Sequence, residues 1–294
     1  MEKYDFSDYK FRASGFGDLV AGGKDLTVKE KERVIAYQEK DKLTPKQQET
    51  LDDIIKKRDT VELSKGAKTL LRKMRREIKF KRRREINSKY LTKGIELEET
   101  AIDWLSMHHD TMFTNNKERR EDEYFTGECD IEEGYDTKVS WSLDTLPDPE
   151  EPLKTIYEFQ DRIYMRLWKR KEWTTSSIAL SMLKDEIKRT LYGEQWKWVG
   201  EEIPTYRKVE IIKYYCYEEK YFIQMLAAND VVVNQESDEK TIDMFQSFVE
   251  IPMHERIVEK TVKFDKKIDD KMVKIAILAR EYMQSIEDEM YTKA

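Results

Sequence analysis

The chain has 294 residues, of which 39% are charged and 39% hydrophobic, and its formal net charge is −6 at pH 7. Its two cysteines, Cys129 and Cys216, have neither a pairing pattern nor a metal-site spacing, which argues against a disulfide framework and a zinc motif. No stretch approaches the roughly 18 consecutive apolar residues that would span a bilayer, so we expect a soluble, cytoplasmic protein.

The first third of the chain is highly charged. From residue 27 to about residue 93, Lys, Glu, Arg and Gln dominate, and sparse apolar residues recur at helical spacings. This pattern predicts a charged helical N-terminal region, residues 1–92. The core domain would then span residues 93–294, a division that the chain length allows.

Charge is segregated along the chain. Residues 72–84 include nine basic residues in thirteen, whereas residues 118–136 are rich in acidic ones. A basic block on a net acidic chain is a candidate contact for a polyanion, but such a block is equally often a solvated helix face. Its last three residues, Arg82, Arg83 and Arg84, are the candidates whose neutralisation would distinguish these interpretations.

A new helix is predicted over residues 95–109, where the core begins. Apolar residues stand three, four and seven positions after Glu98, which places its carboxylate on the inward stripe of the helix. A charged group that faces the core is costly unless it is paired or bound to metal. Glu98 is therefore a candidate acidic ligand, or it lies at the edge of the stripe and reaches solvent.

The segment TGECDIEEGYDTKVSW, residues 126–141, contains two short β-type runs. Residues 132–134 lie between them and end in Gly134. If these three residues form a hairpin loop with Gly134 in the left-handed region, Ile131 faces Tyr135. The sequence therefore predicts a hairpin with a fixed register.

This register would place two carboxylates on one face of the hairpin. Asp130 lies directly opposite Asp136, and Lys138 points the same way because side chains alternate along a strand. Directly opposed β residues have Cβ atoms roughly 5 Å apart, where like charges destabilise the pair, so a cation is required. Two carboxylates suit Mg²⁺ or Mn²⁺, which indicates metal-assisted phosphodiester chemistry. A two-residue turn would instead pair Asp130 with Thr137, and a solvated acidic hairpin tip is the simpler alternative.

The rest of the chain alternates between helical and extended patterns. A helix is predicted over residues 153–168, where Gln160 shares a face with Tyr157 and Tyr164 and its amide could hydrogen-bond a phosphate; packing with a satisfied amide is the default. An amphipathic helix is predicted over residues 265–291. Further extended or mixed apolar segments cover residues 176–183, 208–216, 221–226 and 256–264. The fold class is therefore predicted to be α/β (α+β).

Other kinds of site have little support. His108 and His109 are adjacent and would not share a helix face, which argues against a two-histidine metal site. No serine or cysteine has a base visible in the sequence, and no Gly-rich phosphate loop occurs. Nucleophilic catalysis and nucleotide binding are therefore not expected.

Four segments, taken in order, resemble one family. They are KGIELEETA (93–101), TGECDI (126–131), YDTKVSW (135–141) and YEFQDRIYM (157–165). Together they resemble the PD-(D/E)xK nucleases, most closely the phage recombination exonucleases of the YqaJ-like and lambda-exonuclease-like group. The segment RASGFGDLV near the start is similar to the serine-containing segment that opens these proteins. The resemblance covers residues 11–165.

The resemblance implies a restriction-endonuclease-like core, in which a central mixed β-sheet is flanked by helices, together with two Mg²⁺ or Mn²⁺ ions. It implies that Asp130, Asp136 and the Thr137 carbonyl ligate metal, and that Glu98 holds a second ion or its water. Lys138 would orient or deprotonate the attacking water. The implied contacts to DNA or to its phosphates are Gln160, Ser14 and Ser140.

The resemblance also implies a function, a Mg²⁺-dependent phage-type 5′ to 3′ exonuclease that resects duplex DNA ends for recombination beside a single-strand annealing protein. A homo-oligomer is possible. Cys129 stands where the family motif has proline, and Glu128 stands where close relatives carry a small hydroxyl residue. These departures keep open a structure-specific or single-strand endonuclease, and the charged N-terminal region keeps open a catalytically inactive DNA-binding or scaffold protein.

Overall fold

A computed structural model of the chain describes residues 3–21, 26–59, 61–83 and 88–292. Helices and strands alternate along it, which confirms the predicted α/β (α+β) fold class. The helices are α1 (Ala13–Ala21), α2 (Val28–Gln38), α3 (Pro45–Asp59), α4 (Lys65–Lys79), α5 (Lys89–Glu96), α6 (Glu98–His108), α7 (Thr155–Trp168), α8 (Lys184–Gln195), α9 (Thr205–Tyr215), α10 (Glu219–Ala228), α11 (Glu239–Gln246) and α12 (Lys266–Thr292). The strands are β1 (Phe11–Arg12), β2 (Arg120–Glu121), β3 (Phe125–Gly127), β4 (Tyr135–Ser140), β5 (Glu172–Ala179) and β6 (Ile257–Lys263). None of these helices is both long and apolar enough to cross a lipid bilayer.

The strands form two small mixed sheets. In the first, β3 lies between a parallel β1 and an antiparallel β2. In the second, β5 lies between a parallel β4 and an antiparallel β6. A single bridge between Ile131 and Tyr135 links the chain after β3 to β4. The predicted mixed sheet is therefore present in two parts, because the segment between β3 and β4 pairs at only one position.

Helix α1 packs very closely against the start of α7. A Cβ atom at Gly17 would lie 2.5 Å from Ile156 Cα and 2.9 Å from the Ile156 carbonyl oxygen, so only glycine fits there. Phe16, beside this contact, is buried in the same apolar cluster as Phe159 of α7. The close approach fixes the N-terminal segment against the helix that carries Gln160.

We expect Gly17→Ala to destabilise the protein by about 1–3 kcal/mol, because the added methyl group overpacks a contact between two backbones. Gly15→Ala is the matched control, since a Cβ at Gly15 would meet no atom within 4 Å. That variant should be neutral or gain up to about 1 kcal/mol from helix propensity. Urea unfolding at equilibrium measures both, and equal stability of the two variants would contradict the close packing of α1 on α7.

Several predicted boundaries change in the structure. The helix expected over residues 95–109 is two helices, because the chain breaks at Leu97 between α5 and α6. The apolar segments 208–216 and 221–226 lie in helices α9 and α10, whose buried residues form a separate apolar cluster with α8. A short apolar run does not distinguish a buried strand from a buried helix. The strand at 256–264 and the helix at 265–291 are present as β6 and α12.

The basic block is only partly available to a ligand. Arg75 is 3% exposed and makes a buried ion pair with Glu287 of α12, to which Lys79 is also paired. Helix α4 ends at Lys79, so the basic block is not one continuous helix. Arg82 and Arg83 follow the helix and are exposed, whereas Arg84 lies outside the described residues.

Residues from both sides of the predicted domain boundary pack together. Phe6, Phe11 and Leu71 share one buried apolar cluster with Trp173 and Met283. The boundary predicted between residues 92 and 93 is therefore not marked by a break in this cluster.

Candidate active site

The predicted hairpin forms with the predicted register. Ile131 and Tyr135 make an antiparallel bridge, and Ile131 N donates to the Tyr135 carbonyl at 3.2 Å. Gly134 closes the three-residue loop with φ of +105°, a conformation that glycine adopts easily because it has no Cβ. The three-residue loop is therefore confirmed, and the alternative two-residue turn is wrong.

Asp130 is not a ladder partner of Asp136, which corrects the predicted arrangement. The carbonyl of Asp130 accepts a hydrogen bond from Asn116 N at 2.7 Å, so the chain leaves the hairpin at this residue. Its carboxylate turns to the open edge of β4, where Oδ2 accepts hydrogen bonds from N and Oγ1 of Thr137, both at 2.7 Å. The N–H and C=O of one strand residue point to the same edge. The Thr137 carbonyl therefore faces the edge where Asp130 lies.

Asp136 is a buried carboxylate whose Oδ2 is in contact with the Lys138 ammonium group and whose Oδ1 has no hydrogen-bond partner. It is 1% exposed, and its positively charged contact is an ion pair with Lys138. Burial raises the pKa of Asp136 to about 7; the negative charges of Asp130 and Glu98 add to this, while Lys138 opposes it. Burying a carboxylate without hydrogen bonds is unfavourable. Added positive charge at this position would offset that cost.

Lys138 lies two residues beyond Asp136 and points to the same face of β4. Burial disfavours its charged form, but the nearby carboxylates of Asp136 and Asp130 outweigh burial, so the pKa of Lys138 is raised. The side chain is 25% exposed, and its ammonium group is paired with the buried carboxylate of Asp136. Lys138 is therefore a partly exposed side chain whose ammonium group is kept charged beside the carboxylates.

A further carboxylate in this group, Asp161 of α7, was missed in the sequence. It is fully buried; Oδ2 accepts a hydrogen bond from Thr175 Oγ1 of β5 at 2.7 Å, and Oδ1 has no partner. Burial raises the pKa of Asp161 well above its usual range, and the charge of Asp136 raises it further. The sequence did contain a signal that Asp161 faces inward, because apolar residues stand three, four and seven positions after it, as they do after Glu98.

Glu98 is the first residue of α6 and is half-buried. Its Oε1 accepts a hydrogen bond from Asn115 Nδ2 at 2.9 Å, and its charge contributes to the raised pKa of Asp136. Glu98, Asp130 and Asp136 do not form a set of ligand atoms that all lie within 4.8 Å of one another in the described part of the chain. The same is true of Asp130, Asp136 and Asp161, so these carboxylates are electrostatic neighbours and not a closed ligand set in the described part of the chain.

Gln160 belongs to a hydrogen-bonded series beside the carboxylates. Its Nε2 donates to Tyr164 OH at 2.9 Å, and Tyr164 OH donates to the Glu128 carbonyl at 2.9 Å. A Cβ at Gly127 would lie 2.8 Å from the Tyr164 ring and 3.2 Å from Ala13 Cβ, so the start of α1 also meets this series. Ser14, the residue after Ala13, is exposed. The structure thus brings the predicted serine segment close to Tyr164, the partner of Gln160.

The far end of β4 is held by a lysine that the sequence did not single out. Lys93 is 1% exposed, and its Nζ donates to the carbonyls of Ser140, Trp141 and Leu180 at 2.9, 2.9 and 2.7 Å. Burial lowers the pKa of Lys93 to about 8. Since β4 and β5 are parallel and end beside each other, this ammonium group ties together the two strands beneath the site. Ser140, two residues beyond Lys138, lies where Lys93 holds the strand.

The adjacent histidines correct another expectation. His108, His109 and Glu259 have ligand atoms that all lie within 4.8 Å of one another. The N–H of His109 still donates to the Leu105 carbonyl as in a helix, but the two side chains are long enough for their ring nitrogens to approach Glu259. A two-histidine site, which the sequence argued against, is therefore geometrically possible.

The carboxylate group fits a divalent cation. Asp136 Oδ1 and Asp161 Oδ1 are buried oxygens without hydrogen-bond partners, and carboxylate oxygens are the ligands that Mg²⁺ and Mn²⁺ prefer. Asp130 and the Thr137 carbonyl lie at the same strand edge. These residues would hold an ion if their side chains drew together, since no three of the carboxylates have ligand atoms that all lie within 4.8 Å of one another in the described residues.

Fold and site together define a mixed α/β protein with a buried acidic centre and a partly exposed lysine. No protein-family profile matches the chain, and no curated protein matches it. A phage-related exonuclease from Haemophilus somnus 129PT, known from a crystal structure, is similar with a TM-score of 0.58 and 22% sequence identity. The alignment covers 96% of this chain and 97% of that one. At this identity the similarity shows that the two proteins share a fold over nearly their whole length.

Proposed function

We propose that this protein is a metal-dependent deoxyribonuclease that hydrolyses phosphodiester bonds at the ends of duplex DNA. The observation that carries the proposal is the buried carboxylate of Asp136, which is paired with the partly exposed Lys138 and whose Oδ1 lacks a hydrogen bond. The fold shared with a phage-related exonuclease supports the same conclusion. The order and spacing of the acidic and lysine motifs support it independently.

Asp136, Asp130 and the Thr137 carbonyl would hold the cation, with Glu98 as a candidate for a second ion. When bound, the ion supplies positive charge beside the phosphate and makes the attacking water more acidic. Thr137 orients Asp130 through two hydrogen bonds to one carboxylate oxygen. Asp161, held by Thr175, is a fourth carboxylate whose charge favours a cation at this place.

Lys138 would act on the phosphate. Its side chain is partly exposed and its ammonium group is kept charged by the surrounding carboxylates, so it can donate a hydrogen bond to a phosphoryl oxygen as negative charge develops there. The attacking water forms a new P–O bond, the P–O bond to the leaving nucleotide breaks, and the proton of the water passes to solvent or to the leaving oxygen.

The proposed action on DNA ends is inferred from the residues next to the carboxylates. Gln160, Tyr164 and the exposed Ser14 lie beyond the carboxylates on the side of α1, where a terminal phosphate could contact the serine hydroxyl and the first N–H groups of the helix. Ser140 and the exposed Arg82 and Arg83 are further candidate contacts for the DNA backbone. A 5′ to 3′ direction, a role in phage recombination and an annealing-protein partner belong to the same proposal.

The proposal is tested with purified protein, end-labelled linear duplex DNA and covalently closed circular DNA of the same sequence. We expect release of nucleotides from the linear DNA with Mg²⁺ or Mn²⁺ and none with EDTA. Labels at the 5′ and the 3′ end determine the direction from the order of their release. Cutting of closed circles would instead favour the endonuclease alternative, and absence of metal-dependent products at any enzyme concentration would contradict the proposal.

Lys138→Met should lower the rate of DNA hydrolysis by about 10²–10³-fold, because it removes one preorganised donor to the transition state. DNA binding in Ca²⁺ should change by much less, since one positive charge is lost from the whole contact surface. Single-turnover rates and a fluorescence-anisotropy titration measure the two effects. Lys263→Met, which removes an exposed lysine from β6, is the control and should leave both unchanged.

A further inference from the structure

We propose that His108, His109 and Glu259 form a second metal site, which takes a transition-metal dication of the Zn²⁺ class. One ligand atom from each residue lies within 4.8 Å of the other two. His109 Nε2 and Glu259 Oε1 are already 2.9 Å apart. Two nitrogens and one carboxylate oxygen are the ligand set of many zinc sites that keep a fourth position for water.

The two histidines lie at the C-terminal end of α6. His108 is the last residue of the helix, and His109 is its cap, whose N–H still donates to the Leu105 carbonyl at 3.0 Å; the Thr111 hydroxyl donates to the His109 carbonyl at 3.1 Å. The two imidazole rings lie with centroids 5.0 Å apart and an interplanar angle of 82°. Neighbouring helix positions are separated by about 100° around the axis, so the side-chain torsions, and not a break in the backbone, bring both rings within reach of Glu259.

Groups around the cluster hold the ligands in place. Ser176 Oγ donates to Glu259 Oε1 at 2.9 Å, so the carboxylate is oriented from the neighbouring strand. The His109 ring packs against Tyr135 and Phe113, with centroid distances of 5.2 and 5.9 Å. Hydrogen-bonded partners behind the ligands are typical of metal sites, where they fix the geometry and raise affinity.

The ligand atoms are close to the spacing that a metal requires. Two ligands at about 2.0–2.1 Å from a tetrahedral Zn²⁺ lie about 3.3 Å apart, so His109 and Glu259 need to separate by only a few tenths of an ångström. His108 is exposed and can rotate into the third position. Mg²⁺ is a poor match because it prefers oxygen ligands, whereas imidazole suits Zn²⁺, Ni²⁺ and Co²⁺.

This site is separate from the proposed nuclease centre. Across the second sheet Thr137 pairs with Ser176, and Ser176 pairs with Glu259, so these three side chains share one face. Asp136 and Lys138 alternate with Thr137 along β4 and therefore point to the opposite face. An ion at the histidines would join the end of α6 to β6 and would not replace an ion at Asp136.

Titration calorimetry with Zn²⁺ in excess Mg²⁺ tests the proposal. We expect one equivalent of Zn²⁺ to bind to the wild-type chain and to raise the thermal unfolding midpoint, because a ligand that binds the folded state stabilises it. His108→Ala and Glu259→Gln should each weaken binding at least tenfold, and Ser176→Ala about tenfold. His254→Ala is the matched control, since this third histidine is exposed and outside the cluster.

Two comparisons separate this outcome from the nuclease proposal. Asp136→Asn should retain the Zn²⁺ equivalent even if it abolishes DNA hydrolysis, and His108→Ala should retain Mg²⁺-dependent hydrolysis. His108 is exposed, so its replacement should leave the fold intact, which circular dichroism checks. The proposal is overturned if the wild-type chain binds no Zn²⁺, or if the equivalent survives in His108→Ala and Glu259→Gln but is lost in Asp136→Asn.

Discussion

Asp136→Asn should lower metal-dependent DNA hydrolysis by about 10³-fold or more, because it removes the charge at the centre of the proposed ion site and a bound ion contributes several kcal/mol to transition-state stabilisation. The substitution keeps the size of the side chain. Single-turnover nucleotide release from labelled duplex DNA, with Mg²⁺ and enzyme in excess, measures the loss directly.

The same variant should remain folded. Asparagine removes a buried negative charge whose Oδ1 has no hydrogen bond, while Lys138 keeps Asp130 and Asp161 as negative neighbours. We therefore expect the metal-free free energy of unfolding to change by no more than about 1 kcal/mol. Asp103→Asn, at an exposed position of α6, is the control and should be active and stable. A folded Asp136→Asn protein that still hydrolyses DNA at the wild-type rate would remove the basis for this active site.

The largest expected loss of stability comes from Lys93→Met. The buried ammonium group donates to three backbone carbonyls at the ends of β4 and β5, and methionine would leave those carbonyls without their donor. Leaving a buried acceptor without its donor costs about 1–3 kcal/mol for each group, so the loss of all three bonds should be large. Denaturant unfolding at pH 7 measures the change, and the midpoint should fall without a large change in slope.

Lys89→Met provides the matched control for this effect. Lys89 lies one helical turn before Lys93 on α5 and is exposed, with its ammonium group 4.5 Å from the centre of the Trp141 ring. Losing an exposed cation–π contact costs about 0.5–1 kcal/mol. If the two variants were equally stable, Lys93 would not be the group that holds the strand ends together.

Much of the carboxylate site could be predicted because its geometry is local. Gly134 and the alternating residues around it define the hairpin loop, and the alternation alone puts Asp136 and Lys138 on one face. The orientation of Asp130 could not be predicted in this way. It depends on Asn116, which holds the Asp130 backbone outside the hairpin, and on the two donors of Thr137.

Contacts between distant segments were the main features that the sequence left open. Arg75 belongs to a block that looked like a nucleic-acid contact, yet it is buried against Glu287, 212 positions away. Asp161 met the same periodicity test as Glu98, but only the packing of α7 on β5 shows that it faces the carboxylates. A basic or acidic residue has the same local preferences whether it faces a ligand, an ion pair or solvent.

By itself, the sequence determined the α/β class, the three-residue hairpin and the shared face of Asp136 and Lys138, because backbone sterics and strand alternation act over a few residues. The tertiary structure alone decided which carboxylates meet, that basic side chains of α4 form ion pairs with Glu287 of α12, and that two adjacent histidines converge on Glu259. These outcomes depend on how helices end and pack against strands far away in the chain, where burial and electrostatics override local preference.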